Sequence, residues 1–238
     1  MPIDSPSYRV LEATLDRLDG LVFDAVGTLI VPADDVARVY ADVGRRFGIC
    51  DAPEIIWERF RQAFLREEAI DEQAGWHVDE SREFQRWRSI VQGALPGSSD
   101  DCFQSLFDHY AQPDAWQVVP GAAEVLESLQ QRGLRLGMAS NFDARLEAIT
   151  ARLPGLQAVA RRLVISSRVG VRKPDPRFFA HVATCLGVAP ARLGYLGDDL
   201  RNDFMGSQQA GFSSILYDPK NRYPGIKPRI CHFAELFI

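Results

Sequence analysis

Polar residues stand where four apolar runs of this chain end, and their types suit chemistry on an anionic centre. Asp24 follows Leu21-Val22-Phe23 and enters a turn at Gly27, while Ser140-Asn141 closes the run that starts at Leu134. Lys173 lies in Arg172-Lys173-Pro174-Asp175-Pro176, and Gly197-Asp198-Asp199-Leu200-Arg201-Asn202-Asp203 follows Leu193 to Leu196. A carboxylate such as Asp24 can attack phosphorus, but the anionic phosphoryl oxygens repel it. A divalent cation and fixed donors must therefore neutralise the charge first. The carboxylates after Gly197 offer the oxygen ligands that Mg²⁺ prefers. Lys173 offers a fixed positive charge, and Ser140 and Asn141 offer hydrogen bonds. Each fragment alone has a plainer reading: Gly-Asp as a turn, Ser140-Asn141 as the cap of a helix near Asp143, Lys173 as a solvated cation. Their joint order along the chain is the specific signal.

Five short apolar runs have strand-like length: Leu21 to Val26, Leu134 to Ala139, Arg162 to Ser166, Leu193 to Leu196 and Ser213 to Tyr217. Helical stripes separate the later ones, with Ala122, Val125, Leu126 and Leu129 on one face and Phe178, Phe179, Val182 and Leu186 on another. This alternation predicts an α/β fold with a parallel sheet, whose ligands bind beyond the carboxyl ends of the strands. The interval from Val31 to about Val119 breaks the pattern. It offers no strand and four helical stripes: Val36, Val39, Tyr40, Val43 and Phe47; Ile56, Phe60 and Phe64; Phe84, Trp87, Val91 and Leu95; Phe103, Leu106, Phe107 and Tyr110. A helical domain over 31–119 is thus expected inside a core made of 1–30 and 120–238, with Pro32, Pro113 and Pro120 at the borders. Residues 1–19 read as a lead-in with a short helix around Leu11 to Leu18. In the tail, Ile226, Ile230, Phe233, Leu236 and Phe237 predict packing on the body.

The chain has 238 residues, 46% hydrophobic and 25% charged, with a formal net charge of −5. That composition describes a globular protein with no electrostatic pull toward nucleic acid or anionic membranes. No run approaches the ~18 apolar residues of a spanning helix, and the first residues lack signal-peptide character, so a cytoplasmic protein is expected. The four cysteines are scattered, without a CxxC pair, and read as reduced core or surface residues. A small-molecule partner is expected, with no nucleic acid, no membrane and no obligatory protein partner.

Taken together, Asp24-Ala25-Val26-Gly27-Thr28-Leu29, Ser140-Asn141, Lys173 and Gly197-Asp198-Asp199 resemble the ordered motifs of the haloacid dehalogenase-like hydrolases over nearly the whole chain. The resemblance implies a Rossmann-like, doubly wound parallel sheet with an all-helical cap inserted after the first strand. It further implies a Mg²⁺-dependent phosphatase of a small phosphorylated metabolite, working through an aspartyl phosphate on Asp24. Asp24 and Asp198 would be side-chain metal ligands and Val26 a backbone-carbonyl ligand, with Asp199 or Asp203 holding the metal's waters. Ser140 would bond the phosphoryl oxygens, Lys173 would neutralise phosphate and carboxylates, and Asn141 and amides near Gly27 would add donors.

The departure from the family's DxDxT signature is Val26, where the second Asp would act as general acid/base. Losing that catalysis removes a contribution of about 10²–10⁴-fold, so slow turnover is expected, faster on acyl or aryl phosphates than on alkyl esters. Three other chemistries compete. A 2-haloacid dehalogenase needs no acid at that position, but does not need the later carboxylates. A phosphonate-cleaving relative needs a cap lysine, and the only lysines are Lys173, Lys220 and Lys227. A phosphate- and metal-binding regulatory protein would keep the pocket without turnover. His77, Asp79 and Glu80 are candidates to replace the missing acid, with a solvated loop as the plainer reading. Arg38, Arg45 and Arg46 are expected on a solvent face, and Trp57, Trp76 and Trp87 in the cap core. Among subgroups the chain looks most like that of the HDHD3 and REG-2 proteins.

Overall fold

The computed structural model describes residues 6–237. Helix α1 (Pro6–Leu15) leads into β1 (Gly20–Phe23), and a tight turn follows to β2 (Ile30–Pro32). Helices α2 (Val36–Arg46), α3 (Pro53–Gln73), α4 (Glu80–Ala94) and α5 (Asp100–His109) come next, then β3 (Trp116–Val118). The remainder alternates: α6 (Ala122–Gln131), β4 (Arg135–Ser140), α7 (Arg145–Arg152), α8 (Gln157–Ala160), β5 (Leu163–Ile165), α9 (Ser166–Val169) and α10 (Pro176–Leu186). It continues through β6 (Leu193–Gly197), a helix with a wide first turn (Leu200–Met205) running into α11 (Gly206–Gln209), β7 (Ser213–Tyr217) and β8 (Arg229–Ile230).

Six strands form one parallel sheet in the order β5-β4-β1-β6-β7-β8. Because strand side chains alternate between faces, Leu21 and Phe23 join Met138, Leu196 and Ile215 in one apolar cluster, while Val22 joins Ala139, Val164 and Tyr195 in another. Helix α6 covers the first face with Val125 and Leu129; α10 covers the second with Phe178, Phe179 and Val182. With both faces covered, β1 and β6 are buried along their whole length, as parallel strands usually are. The chain steps from β1 outward through β4 and β5, then returns to the other side of β1 for β6. That reversal opens a crevice at the carboxyl ends of β1, β4 and β6.

Several details differ from the sequence reading. Strand β1 stops at Phe23 instead of Val26, because Ala25 to Ile30 close a turn in which the Leu29 and Ile30 amides bond the Ala25 carbonyl at 2.9 Å. The interval expected to hold no strand contains β2 and β3, which pair antiparallel at the two ends of the helical segment. Three-residue strands, one containing Pro32, leave no period to detect. Helix α1 spans Pro6–Leu15, and its Leu11 and Leu15 belong to the main core; residues 1–5 lie outside the described residues. In the tail, Ile230, Phe233 and Leu236 are buried and β8 extends the sheet, whereas Phe237 is exposed. The cysteines are all free, with Cys102 buried and Cys50 and Cys185 exposed.

Helices α2 to α5 enclose their own cluster, including Tyr40, Ile56, Val91, Leu95, Phe103 and Leu106. Trp87 packs against it, but the other expected core tryptophans do not behave alike. Trp57 is 42% exposed, and Trp76 has left-handed backbone (φ 62°) in the α3–α4 connection and packs on the second face of the sheet. Arg38, Arg45 and Arg46 face solvent, Arg45 pairing with Asp42 at 2.8 Å. The α3–α4 connection is bonded to the sheet domain: the Arg172 amide donates to the Trp76 carbonyl (3.1 Å) and Arg177 Nη2 to the Gly75 carbonyl (2.7 Å). Beneath it, buried Asp71 of α3 accepts from Arg82 and Arg86 of α4 and from Arg172, the residue before Lys173. No helix among the described residues is long and apolar enough to cross a membrane.

Candidate active site

Asp24 is the first residue beyond β1, and its amide still donates to the Leu196 carbonyl of β6 at 2.9 Å, so the carboxylate is fixed at the crevice. It is only 5% exposed. Ser140, the last residue of β4, donates its hydroxyl to Asp24 Oδ1 at 3.2 Å. Lys173 reaches the same oxygen from the β5–β6 connection: its Nζ lies 2.6 Å from Asp24 Oδ1, 2.6 Å from Asp203 Oδ1 and 3.0 Å from the Tyr195 hydroxyl. Burial alone would lower the Lys173 pKa. The carboxylates of Asp203 and Asp24 outweigh it and hold the ammonium well above its ordinary value.

Asn141 fixes this lysine's backbone rather than facing a phosphoryl group alone. Its Oδ1 accepts from the Lys173 amide at 2.8 Å and its Nδ2 donates to the Lys173 carbonyl at 3.0 Å. Gly27 likewise differs from expectation, because its amide is committed to the turn, donating to the Ile30 carbonyl at 2.8 Å. What Gly27 contributes is room. A Cβ there would lie 2.5 Å from Asp198 Oδ1, and its φ of +94° is disfavoured for any side chain. Gly27→Ala should lower stability by about 1–2 kcal/mol through the left-handed backbone alone and displace Asp198. Chemical denaturation compared with wild type checks it; an unchanged midpoint would contradict the crowding.

Carboxylate oxygens of Asp24, Asp198 and Asp203 lie within 4.8 Å of one another. Such a cluster is electrostatically costly unless a cation joins it. Burial, together with the charges of Asp203, Asp24 and Asp199, holds the Asp198 carboxyl well above the usual range against the pull of Lys173. Burial raises Asp203 to about 7, again opposed by Lys173. An all-oxygen donor set of this kind suits a hard divalent cation. Gly197 guards the same space, since a Cβ would fall 2.3 Å from the Asp203 carboxyl carbon.

Asp203 thus stands in the cluster with Asp24 and Asp198, whereas Asp199 does not. Asp199 is exposed, and its Oδ1 accepts from the Arg201 and Asn202 amides at 2.9 and 2.7 Å, capping the helix that follows. Val26, in the turn after Asp24, lines the pocket with an apolar side chain.

The candidates to replace the missing acid stand elsewhere. His77 is exposed beside Arg177, Asp79 caps α4 through the Arg82 amide (2.7 Å), and Glu80 accepts from the Ala144 amide and the Ser167 hydroxyl. None of the three lines the Asp24 pocket, whereas Glu68, Glu83 and Arg86 of the helical segment do. Glu83 is 2% exposed, its Oε1 has no hydrogen-bond partner, and burial raises its pKa against the nearby charges of Arg172 and Arg86. Tyr195 also escaped the sequence reading. Its hydroxyl accepts from Lys173 and donates to the Ala139 carbonyl at 2.7 Å, and the available signal was a phenol inside a buried strand, which demands a partner.

Residues 18–211 match the family model described as haloacid dehalogenase-like hydrolase. The mouse haloacid dehalogenase-like hydrolase domain-containing protein 3 is 32% identical over 204 residues, covering 82% of this chain and 80% of its own. Among solved structures, a HAD phosphatase from Thermococcus onnurineus superposes with a TM-score of 0.66 at 22% identity, over 92% of this chain and 96% of that one. The L-2-haloacid dehalogenase of Xanthobacter autotrophicus with chloropropionic acid covalently bound reaches 0.68 at 23% identity, over 86% and 79%. These likenesses share the parallel sheet described above, and with the matched family model they identify this chain as a member of the haloacid dehalogenase-like hydrolases.

Proposed function

We propose that this hydrolase is a Mg²⁺-dependent phosphatase that carries the phosphoryl group on Asp24 and acts on a small, soluble phosphorylated molecule in the cytoplasm. The observation that carries the reading is the meeting of Asp24, Asp198 and Asp203 within 4.8 Å beside the Lys173 ammonium. A bound Mg²⁺ would supply charge neutralisation and orientation of the phosphoryl oxygens. Asp24, Asp198 and Asp203 are the residues that would hold it. Asp24 attacks phosphorus, the ester oxygen departs with its electron pair, and water then cleaves the aspartyl phosphate. Ser140 and Lys173 hold Asp24 Oδ1 in place, leaving its other oxygen for attack. Neither nucleic acid nor membrane has a place in this chemistry.

Val26 supplies no proton to the departing oxygen, so the leaving group's own acidity governs the rate. Val26→Asp should raise turnover of an alkyl phosphate by about tenfold or more, read as kcat on glycerol 1-phosphate. No gain would mean that the turn no longer aims residue 26 at the ester oxygen. The apolar residue at 26 also favours a second reading, a 2-haloacid dehalogenase, which the three clustered carboxylates oppose. Release of phosphate from acetyl phosphate that stops on chelation supports the phosphatase. Chloride release from 2-chloropropionate, with acetyl phosphate left intact, would overturn it.

A further inference from the structure

Beside the Asp24 pocket, and sharing Val26, Phe64, Trp87, Trp116 and Phe142 with it, lies a cavity of about 240 Å³ between the helical segment and the sheet-bearing part of the chain. Its walls are aromatic and aliphatic. Trp57 and Phe60 stack with centroids 5.3 Å apart, and Phe103 and Phe107 stand 5.5 Å apart. Arg145 is the one charged side chain among the described lining residues, and each of its three nitrogens already donates a hydrogen bond. Its Nε and Nη2 donate to Asp143 at 2.8 and 2.7 Å, its Nη1 to the Phe107 carbonyl at 2.9 Å, and its guanidinium carbon lies 3.6 Å from the centre of the Phe107 ring. A sugar or carboxylate placed here would lose its water and gain few partners in return. Two lining polar atoms are buried and unpartnered, Trp87 Nε1 and the Tyr110 hydroxyl. An apolar cavity of about 150 Å³ holds benzene, so this one has room for one ring and much of a second.

We propose that this cavity receives the leaving group and that the substrate is the phosphate monoester of a one- or two-ring phenol. The proposal rests on the phosphatase reading and narrows it. Val26 joins its two halves. The side chain that supplies no proton also forms the boundary between the phosphoryl site and the apolar cavity, where an ionised Asp would be poorly solvated. A phenol ionises near pH 10, far below the ~15.7 of water, so a phenolate leaves unassisted. In the step itself, the Asp24 oxygen bonds to phosphorus and the phosphorus–oxygen bond to the ring breaks. The electron pair stays on the phenolate, which takes a proton from solvent. Water then attacks phosphorus, releasing inorganic phosphate and a proton and restoring the Asp24 carboxylate.

The test combines binding and turnover on the full chain. Titration of wild type with 2-naphthol, read by tryptophan fluorescence, should show binding. Val36→Phe, which fills the cavity from its wall, should weaken that binding about tenfold or more. The same variant should lower kcat/KM for 2-naphthyl phosphate to a similar degree and leave that for acetyl phosphate unchanged. If Val36→Phe fails to fold, Trp57→Glu at the half-exposed edge of the cavity takes its place with the same expected losses. Turnover of acetyl phosphate by a wild type that does not bind 2-naphthol would overturn the proposal and spare the phosphatase reading. Binding lost in the variant, with no phosphate released from any ester, would support the cavity's ligand and overturn the phosphatase reading.

Discussion

Asp24→Asn should lower phosphate release at least about 10⁴-fold, the scale seen when a catalytic group at the reacting centre is removed. An amide keeps the size and planarity of the carboxylate, so the Ser140 contact at 3.2 Å can persist, and Lys173 keeps Asp203 as its anionic partner. What disappears is the nucleophile. The side chain is buried at the end of β1, and no other carboxylate occupies that place: Asp203 is held by Lys173 and by the Asp199 amide at 3.0 Å. Activity surviving in the variant would assign the chemistry to another group or to a contaminant. Circular dichroism and the denaturation midpoint should remain near wild type, which separates loss of chemistry from loss of fold.

Lys173→Met should lower turnover about 10³-fold and also destabilise the protein by about 3 kcal/mol, because it strands buried charges that the ammonium now offsets. Three partners lose their donor at once: Asp24, Asp203 and the Tyr195 hydroxyl. The sign of the pH dependence follows from Asp203, already raised to about 7 by burial with Lys173 opposing. Without the lysine that pKa rises further. A raised carboxylate pKa costs stability once pH exceeds the unfolded value near 3.9, and protonation relieves the cost. The deficit of Lys173→Met, measured without added metal, should therefore be smaller at pH 5 than at pH 8. A deficit that grows on acidification would contradict the charge arrangement.

The sheet was legible because β1, β4, β5, β6 and β7 are apolar runs with intervening amphipathic stripes, and parallel strands with both faces covered read that way. Strands β2, β3 and β8 were not, being two or three residues long. In the helical segment, legibility failed wherever charge faces inward. The stripe Ile56, Phe60, Phe64 marks only the first half of α3, since its later buried positions are Glu67 and Asp71. On α4 the buried face carries Glu83 and Arg86 ahead of Ile90 and Val91, while the sequence pattern favoured Phe84 and Trp87. Those charges are buried together, Asp71 binding arginines from α4 and from the loop that presents Lys173. Only the fold brings such partners together, because Asp71 and Arg172 are far apart in sequence.

At the site, Asp24, Ser140 and Asp198 were recognisable because each lies at the end of a strand, Lys173 because it sits in a Pro-bounded loop, and Asp203 because it follows Asp198 in the acidic run after Gly197. The consequences of backbone geometry were hidden. The Gly27 amide is spent inside its turn, Asn141 holds the backbone of Lys173, and Asp199 caps a helix. Hydrogen bonds of that kind depend on turn geometry that residue type alone does not specify. The aromatic cavity was similarly hidden, since Phe60, Trp87, Phe103 and Phe107 read as core of the helical segment and only their placement against Val26 reveals a space between them.

The central claim is a phosphoryl group carried by Asp24, and mass spectrometry of acid-quenched protein after mixing with acetyl phosphate and Mg²⁺ tests it most directly. The account predicts a phosphoryl adduct on the peptide containing Asp24, absent in Asp24→Asn, absent after chelation and removed by hydroxylamine. Phosphate release without any adduct on that peptide, or an adduct on another residue, would contradict it.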